Sequence, residues 1–365
     1  MNKCNANEIV RGLEGVVVDR TAISNVCGDG QLSYRGLDIH TLVEHPFHAV
    51  ARWVVTGASS TPEADKAWHH LLAAHCNLTA RESDAVLGFP ASAHPMRILR
   101  ALVPVFDEVD VGAGLGEADH GVLIGAKLPA VVLTHLKRRR VDLNPELDYI
   151  RRFVDGLEVD ATEELVTAIN CAQILQIEHS FNAGTFAARV VASTLAGIGA
   201  SITAGLGALS GELHGGADEA ALDMADRAAN PEAGRALVRA VLADGGKLPG
   251  MGHREYRVRD PRADALEQVI QQMLPGTTEG SELHTRLAIL RAMEDEFRSL
   301  MLQRGKALHA NVDFYKGLIY RQAGLPNHFF TALFAMARVF GYVAHFIESR
   351  QDNRIFRPKA LYVGV

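Results

Sequence analysis

The sequence predicts a mainly α protein with two lobes. Apolar residues recur at helical spacing through most of the chain, and a single segment near the N-terminus has a β pattern instead. The chain has 365 residues, of which 48% are hydrophobic, so it is long enough to bury a large core and to form more than one domain. No internal repeat and no low-complexity linker divides the sequence.

The β pattern lies in residues 14–36, EGVVVDRTAISNVCGDGQLSYRG. Two runs rich in β-forming residues flank Gly28, Asp29 and Gly30, which together form a typical turn sequence. This segment therefore predicts a short N-terminal β-hairpin.

Helical patterns follow the hairpin to the end of the chain. Pro62 and Pro261 each come directly after a residue of N-cap type, Thr61 and Asp260, and so mark two helix starts. The predicted helices span residues 38–56, 63–77, 94–106, 118–136, 144–156, 160–178, 181–206, 213–228, 232–243, 261–274, 281–304, 309–321 and 327–350.

Charge and cysteine content argue against several functional classes. A formal net charge of −6 gives no signal for nucleic acid or an anionic membrane. The four cysteines are widely spread and form no C-x-x-C pair, which is typical of reduced thiols in the cytosol. The most apolar stretch, residues 190–209, carries several Ser and Thr residues and predicts a buried helix rather than a membrane span. We expect a cytoplasmic protein that binds neither nucleic acid nor membrane and has no metal motif.

The stretch GELHGGADEAALDM, residues 211–224, places His214 between a turn of small residues and an amphipathic helical pattern. The free N–H groups at a helix start disfavour imidazolium, so His214 is expected to be a neutral donor that can polarise a carbonyl. The alternative is an ordinary polar helix start, in which Gly215 and Gly216 permit a tight entry. Taken alone, the stretch favours this alternative.

Further polar residues stand among small or apolar neighbours. A single one could form an internal ion pair, since buried charges are normally paired. Together they favour a site for a small polyanion, because arginine suits forked contacts with carboxylates and a carboxylate between imidazoles could remove a proton beside a carbonyl. These residues are His179 and Asn182 in IEHSFNAGTFAARV, His253, Arg257, Arg259 and Arg262 in LPGMGHREYRVRDPRA, Asp313 in ANVDFYKG, Arg338 in FAMARVFGYVAHFIE, and Arg357 in FRPKALYVG.

The chain resembles the citrate synthase family over nearly its whole length, from GLEGVVVDRTAIS to RPKALYVG. The motifs LHGGADEA, PGMGHREYRVRDPRA and NVDFY occur in the family's order and spacing. The resemblance implies an acyltransferase that joins oxaloacetate to the methyl carbon of acetyl-CoA. It then hydrolyses the citryl-CoA thioester to citrate and CoA, and no metal or other cofactor is implied.

The resemblance also implies roles for individual residues. Asp313 matches the base that removes the methyl proton, and His214 matches the donor to the thioester oxygen. His253 matches the residue that polarises the ketone of oxaloacetate and protonates the alkoxide. The residues that match the family's oxaloacetate-binding residues are His179, Asn182, Arg262, Arg338 and Arg357. Those that match its CoA-binding residues are Lys247, Leu248, Gly250, Gly252 and Arg257.

The sequence departs from the family pattern near His214. Asp218 stands where the family usually has Asn, and a carboxylate one turn away could raise the pKa of His214 unless Asp218 is solvated or paired. This and similar departures leave the acyl-CoA preference open. The alternatives are a 2-methylcitrate synthase that uses propionyl-CoA and a catalytically silent regulatory paralogue. One methylene is worth only about 1–3 kcal/mol of discrimination.

The resemblance assigns the two lobes and the assembly. A large helical domain is expected to comprise residues 1–213 and 316–365, and a small domain residues 214–315. Arg357 matches an arginine that the family contributes across a dimer interface, so we expect a homodimer. The small domain is expected to close over oxaloacetate before CoA chemistry, with glycines between residues 205 and 216 as hinges.

Overall fold

The structure, a computed structural model, describes residues 9–107, 116–278 and 280–364. Cys4 therefore lies outside the described residues. In this part of the chain the fold is mainly α, as the sequence predicts, with sixteen α-helices and one small sheet.

The helices follow one another along most of the chain. In chain order they are α1 (Ile39–Leu42), α2 (Phe47–Thr56), α3 (Pro62–Ala74), α4 (Ala80–Leu87), α5 (Pro95–Asp107), α6 (Glu117–Lys137), α7 (Tyr149–Leu157), α8 (Glu163–Ile174), α9 (Ala183–Ala192), α10 (Ile198–Leu209), α11 (Ala217–Asp226), α12 (Pro231–Ala243), α13 (Pro261–Met273), α14 (Glu282–Gln303), α15 (Val312–Gln322) and α16 (Phe330–Gln351).

The N-terminal hairpin is confirmed, and a third strand extends it. Strands β1 (Ser24–Val26) and β2 (Leu32–Tyr34) pair antiparallel around the predicted turn. Strand β3 (Leu37–Asp38) pairs antiparallel with β2, so the hairpin is part of a three-stranded sheet. The sheet is tied to the core because the Tyr34 hydroxyl donates to the carbonyl oxygens of Ile174 and Glu178 at 3.1 and 3.0 Å.

Two predicted helical segments are each two helices in the structure, and one helix was not predicted. The segment 38–56 is two helices, because Pro46 starts α2 as its N-cap. The segment 181–206 is interrupted at residues 193–197 and becomes α9 and α10. Helix α4 was not predicted at all: its sequence, ARESDAVL, is largely polar, and its start is fixed by a capping box between Thr79 and Glu82.

Helix α16 is the centre of the fold. Nearly all of its residues are buried, and it packs against α2, α6, α9 and α10. Helix α6 approaches it closely because two glycines face it: a Cβ on Gly121 would lie 2.6 Å from Val343, and one on Gly125 would lie 2.8 Å from Phe340. Residues Asn327–Gln351 are long and apolar enough to span a membrane, but 94% of their most apolar window is buried inside the protein. This buried helix serves as the core, and residues 190–209 comprise the end of α9, the interruption at residues 193–197 and α10.

Two pairs of helices frame the second part of the chain. Helix α12 packs along α14, and α11 packs against α15. Helix α13 joins these to the rest of the molecule through contacts with α8 and α15. The domain boundaries at 213/214 and 315/316 stay a prediction.

Candidate active site

The candidate site lies where four chain segments meet. The turn between α8 and α9 carries His179 and Asn182, and the turn between α10 and α11 carries His214. The loop before α13 carries His253, while Asp313 stands in the first turn of α15. The charge of Asp313 acts on both His214 and His253, so these three predicted catalytic residues are brought together.

Backbone N–H groups determine which ring nitrogen of His253 can donate a hydrogen bond. The N–H groups of Glu255 and Tyr256 point at its Nδ1 atom, at 3.0 and 3.3 Å. Nδ1 is therefore an acceptor, and the proton of the neutral imidazole must be on Nε2. Burial and the nearby Arg262 lower the pKa of His253 to about 4, so the ring is neutral at physiological pH.

Arg262 lies beside His253 and is buried. Its guanidinium forms a forked pair with Asp260, at 3.0 and 2.7 Å, and its Nη2 atom is 3.3 Å from Nε2 of His253. Since Nε2 carries a proton and arginine has no acceptor, this last contact brings two donors together. An acceptor from a ligand would satisfy both.

Arg338 is the buried guanidinium with the least satisfied hydrogen bonding. It is 1% exposed, its Nε donates to the Gln176 carbonyl oxygen at 2.7 Å, and its Nη1 is buried without a hydrogen-bond partner. Within the described residues no carboxylate lies at ion-pair distance from it, and the ring of Phe334 covers it at 4.8 Å. A buried cation in this state is costly unless an anion joins it.

His179 completes this part of the site. Its Nε2 is 3.0 Å from the Tyr256 hydroxyl, and its ring lies 5.1 Å from that of His253. Burial, followed by the charges of Arg262, His253 and Arg338, lowers the pKa of His179 well below its usual value. We call His179, His253, Arg262 and Arg338 the donor half of the site.

His214 is neutral, as predicted, but mainly for another reason. Burial is the largest cause, and the charge of Arg338 adds to it, so that the pKa of His214 falls to about 4. Its Nε2 lies 3.3 Å from Oδ1 of Asn182. That oxygen also accepts from the N–H groups of Gly184 and Thr185 and caps α9, so His214 must be the donor.

Asp218 is paired rather than solvated. It is fully buried, and its Oδ2 lies 3.1 Å from Nζ of Lys316, which in turn donates to Oδ1 of Asp313 at 2.7 Å. Burial raises the pKa of Asp218 to about 6, although Lys316 opposes the shift. We call Asp218, Lys316 and Asp313 the acceptor half of the site.

The predicted CoA segment lies beside Asp313. The backbone N–H of Asn311 donates to the Gly250 carbonyl oxygen at 2.9 Å. The side-chain amide of Asn311 donates to the Gly252 carbonyl oxygen at 2.8 Å. Gly250 has a φ of 71°, and a Cβ there would lie 3.0 Å from the Cα of Phe314. Lys247 is exposed and Leu248 is buried. This loop and the start of α15 are therefore held together.

Two predicted binding residues lie outside this cluster. Arg257 is exposed, and its N–H donates to the Gly28 carbonyl oxygen, beside a cleft of about 570 Å³ at the hairpin turn. Arg357 is exposed on the C-terminal tail and donates to the Pro358 carbonyl oxygen at 3.0 Å. Within the described residues, Arg357 forms no hydrogen bond or ion pair with the residues of this cluster.

Sequence reasoning missed the residues that support the site. Asp260 fixes Arg262, Tyr256 contacts His179, and Lys316 joins Asp313 to Asp218. Only Lys316 left a readable signal, because it follows Asp313 by three residues in a helical pattern and so shares its face. No group of His, Cys, Asp and Glu in the described residues could hold a metal ion.

Comparison with known proteins decides the family. The family model described as "Citrate synthase, C-terminal domain" matches residues 12–359. The chain belongs to the citrate synthase family. It is 33% identical to the citrate synthase of Synechocystis, over 98% of this chain and 92% of that protein. It is 32% identical to the 2-methylcitrate synthase of Shewanella oneidensis, over 97% of this chain and 94% of that protein.

Solved structures of citrate synthases have the same fold. The enzyme of Thermoplasma acidophilum, solved as a ternary complex with carboxymethyl coenzyme A and oxaloacetate, is 27% identical and superposes with a TM-score of 0.89. The match covers 98% of this chain and 97% of that one. The predicted membership, the mainly α fold and the assignment as an acyltransferase are thereby confirmed.

Proposed function

We propose that this protein condenses acetyl-CoA with oxaloacetate and hydrolyses the resulting thioester to citrate and CoA. The observation that carries the proposal is Arg338, a buried guanidinium whose Nη1 has no hydrogen-bond partner in the described part of the chain, together with the neutral donor His253. Both lie close enough to His179 to act on it. A carboxylate of oxaloacetate would satisfy Arg338, while the ketone oxygen would accept from Nε2 of His253. The family and its ternary complex support the choice of substrates.

The first step is removal of a proton from the acyl methyl group. Asp313 is the base: its Oδ1 is held by Lys316, and its side chain is 13% exposed. His214 donates its Nε2 proton to the thioester oxygen in place of the 3.3 Å contact with Asn182. This hydrogen bond stabilises the negative charge as the electron pair moves to oxygen. A neutral imidazole is suited to that role.

The second step forms the carbon–carbon bond. The enolate carbon attacks the ketone of oxaloacetate, and the alkoxide takes the proton from Nε2 of His253. The backbone N–H groups at Nδ1 and the guanidinium of Arg262 stabilise the charge that develops on the ring. Water then hydrolyses citryl-CoA. No step requires a group other than the substrates, water and these side chains.

We further propose that the enzyme works as a cytoplasmic homodimer. Arg357 is exposed on the C-terminal tail and, within the described residues, forms no hydrogen bond or ion pair with the donor half, which suits a residue that reaches the site of a second copy. The loop that contains Lys247, Leu248, Gly250 and Gly252, together with Arg257, is assigned to CoA. The small domain closes after oxaloacetate binds, so oxaloacetate is the first substrate.

The experiment is a rate measurement with two acyl donors. Purified protein is given oxaloacetate with acetyl-CoA or propionyl-CoA, thiol release is followed, and the product is identified by mass. We expect oxaloacetate-dependent thiol release with a higher kcat/KM for acetyl-CoA. A higher value for propionyl-CoA would reassign the enzyme as a 2-methylcitrate synthase. No oxaloacetate-dependent release with either donor would contradict the proposal.

A further inference from the structure

Lys316 is a fully buried lysine at the centre of the acceptor half. Its side chain has 0% exposure, and its ammonium lies 2.7 Å from Oδ1 of Asp313 and 3.1 Å from Oδ2 of Asp218. The ring of Phe334 lies 4.2 Å from the same nitrogen. Burying an ammonium is costly unless carboxylates compensate it, and here two of them do.

The positions of the three side chains are set by two helix starts. Asn311 caps α15 and accepts from the N–H of Asp313 at 2.9 Å, and Lys316 lies on the same helical face one turn later. Asp218 occupies the first turn of α11, where its Oδ1 accepts from the N–H of Glu219 at 2.8 Å. Because α11 packs against α15, Asp218 reaches Lys316 from a different helix than Asp313 does.

The lysine distinguishes the two oxygens of Asp313. Oδ1 accepts from Lys316, whereas Oδ2 makes no hydrogen bond in the described part of the chain. The two oxygens are equivalent, so a half-turn about the Cβ–Cγ bond restores the same contact; what the ammonium fixes is the plane of the carboxylate. The oxygen that remains free is the one that can reach an acyl group.

We propose that Lys316 is a positioning residue for the Asp313 base, with Asp218 as the second carboxylate beside its ammonium. The inference rests on the proposed function, since it gives Lys316 a role only if Asp313 takes the substrate proton. Lys316 is fully buried behind Asp313 and so acts through that residue.

The lysine is also the cation in direct contact with Asp313. The charge of Asp313 also acts on His214 and His253, both neutral, on Tyr320 of the same helix and on Asp218 of α11. Arg338 of α16 acts on His214, and Asp260, which pairs with Arg262, accepts from the N–H of Val312. Without Lys316, the carboxylates of Asp313 and Asp218 would face each other with no cation between them. Like charges at that range disfavour the ionised base.

The test compares two variants that differ only at residue 316. Asp218→Asn keeps the contact between Lys316 and Asp313 and is the reference. Asp218→Asn/Lys316→Met removes the ammonium as well, and leaves neither an unpaired buried lysine nor two facing carboxylates. For both, kcat and kcat/KM for acetyl-CoA are measured from pH 5.5 to 9, and oxaloacetate affinity is measured by calorimetry.

We expect the double variant to have a kcat at least about tenfold below the reference, because its base is no longer held in one orientation. The acidic limb of its kcat/KM profile should lie about one pH unit higher. Oxaloacetate affinity should agree within about twofold, because the donor half is intact. An Asp218→Asn/Lys316→Gln variant, whose amide still donates but carries no charge, should recover part of kcat and keep the shifted limb.

Equal kcat and equal acidic limbs in the reference and the double variant would overturn the inference. So would a parallel loss of oxaloacetate binding, because the lysine would then shape the whole pocket rather than Asp313. If the Asp218→Asn/Lys316→Met variant does not fold, the Asp218→Asn/Lys316→Gln variant still tests the inference. An acidic limb of its kcat/KM profile at the same pH as that of the reference would contradict the inference. A wild-type protein without condensation activity would instead remove the proposed function, so the two failures are distinguishable.

Discussion

The donor half and the acceptor half of the site are both buried, but they satisfy their charges in opposite ways. In the donor half, Nη1 of Arg338 has no acceptor among the residues that the structure describes, and Nε2–H of His253 faces a second donor, Arg262. In the acceptor half, the carboxylates of Asp218 and Asp313 share the single ammonium of Lys316. A pocket with spare donors suits an anionic substrate, and a cluster with spare carboxylate oxygens suits a base.

The comparison predicts that substitutions in the two halves impair different properties of the enzyme, turnover in the acceptor half and oxaloacetate binding in the donor half. Asp313→Asn should cause the largest loss, lowering kcat by about 10²–10⁴-fold, because removing a general base typically has that effect. Oxaloacetate binding should be kept. Steady-state kinetics with both substrates provide the measurement. A variant that keeps more than half of the wild-type kcat would exclude Asp313 as the base.

A second prediction concerns whether the donor half is completed by another subunit. Arg338→Ala and Arg357→Ala are each expected to be poorly active, since each removes a cation that would bind a carboxylate. If Arg357 reaches across a dimer, a mixed dimer has one site with both defects and one site with neither. Mixing the two variants should then restore roughly a quarter of the sites when chains exchange at random.

The control for this experiment is each variant mixed with itself, which should gain nothing. If activity stays low in the Arg338→Ala and Arg357→Ala mixture although chain exchange is demonstrated, both arginines serve their own subunit. The proposed shared site would then be wrong.

A third and smaller effect should appear in stability. Because burial raises the pKa of Asp218 to about 6, this carboxyl group binds more protons in the folded protein than in the unfolded chain between about pH 4 and pH 6. The ionised carboxylate therefore destabilises the folded state above this range. Asp218→Asn should increase the free energy of unfolding by on the order of 1–3 kcal/mol at pH 8.

That gain should become smaller as the pH falls through 6 toward 4. The buried imidazoles of His179, His214 and His253 are common to both proteins, so their own acid destabilisation cancels in the difference. Urea unfolding of the variant and the wild type at pH 8 and pH 5 gives the measurement. A gain that is larger at pH 5 would show that Asp218 is not destabilised by burial.

Much of the donor half could be predicted from sequence because its residues stand in short, recognisable motifs. His179, His253, Arg262 and Arg338 were named from such stretches, and the structure brings them together. The helical class also follows directly from periodicity. Helix α4 could not be predicted from apolar periodicity, because Glu82 and Ser83, two of its three buried residues, are polar.

The acceptor half was harder to predict because its geometry depends on packing between distant helices. The sequence shows that Asp313 and Lys316 share a face, but only the contact of α11 with α15 places Asp218 beside them. The dependence on packing also explains why the main cause of the neutral state of His214 was not predicted. A helix start predicted its neutral state, whereas burial, which is a tertiary property, is the main cause.

Oxaloacetate binding is the most direct test of the division into a donor half and an acceptor half. Calorimetric titration of the wild type, Asp313→Asn and Arg338→Ala, without acyl-CoA, separates binding from turnover. We expect Asp313→Asn to bind oxaloacetate within about twofold of the wild type. Arg338→Ala should bind it at least about tenfold more weakly, because a charge-assisted pair in a buried site is lost. Equal losses in the two variants, or full binding by Arg338→Ala, would contradict this account.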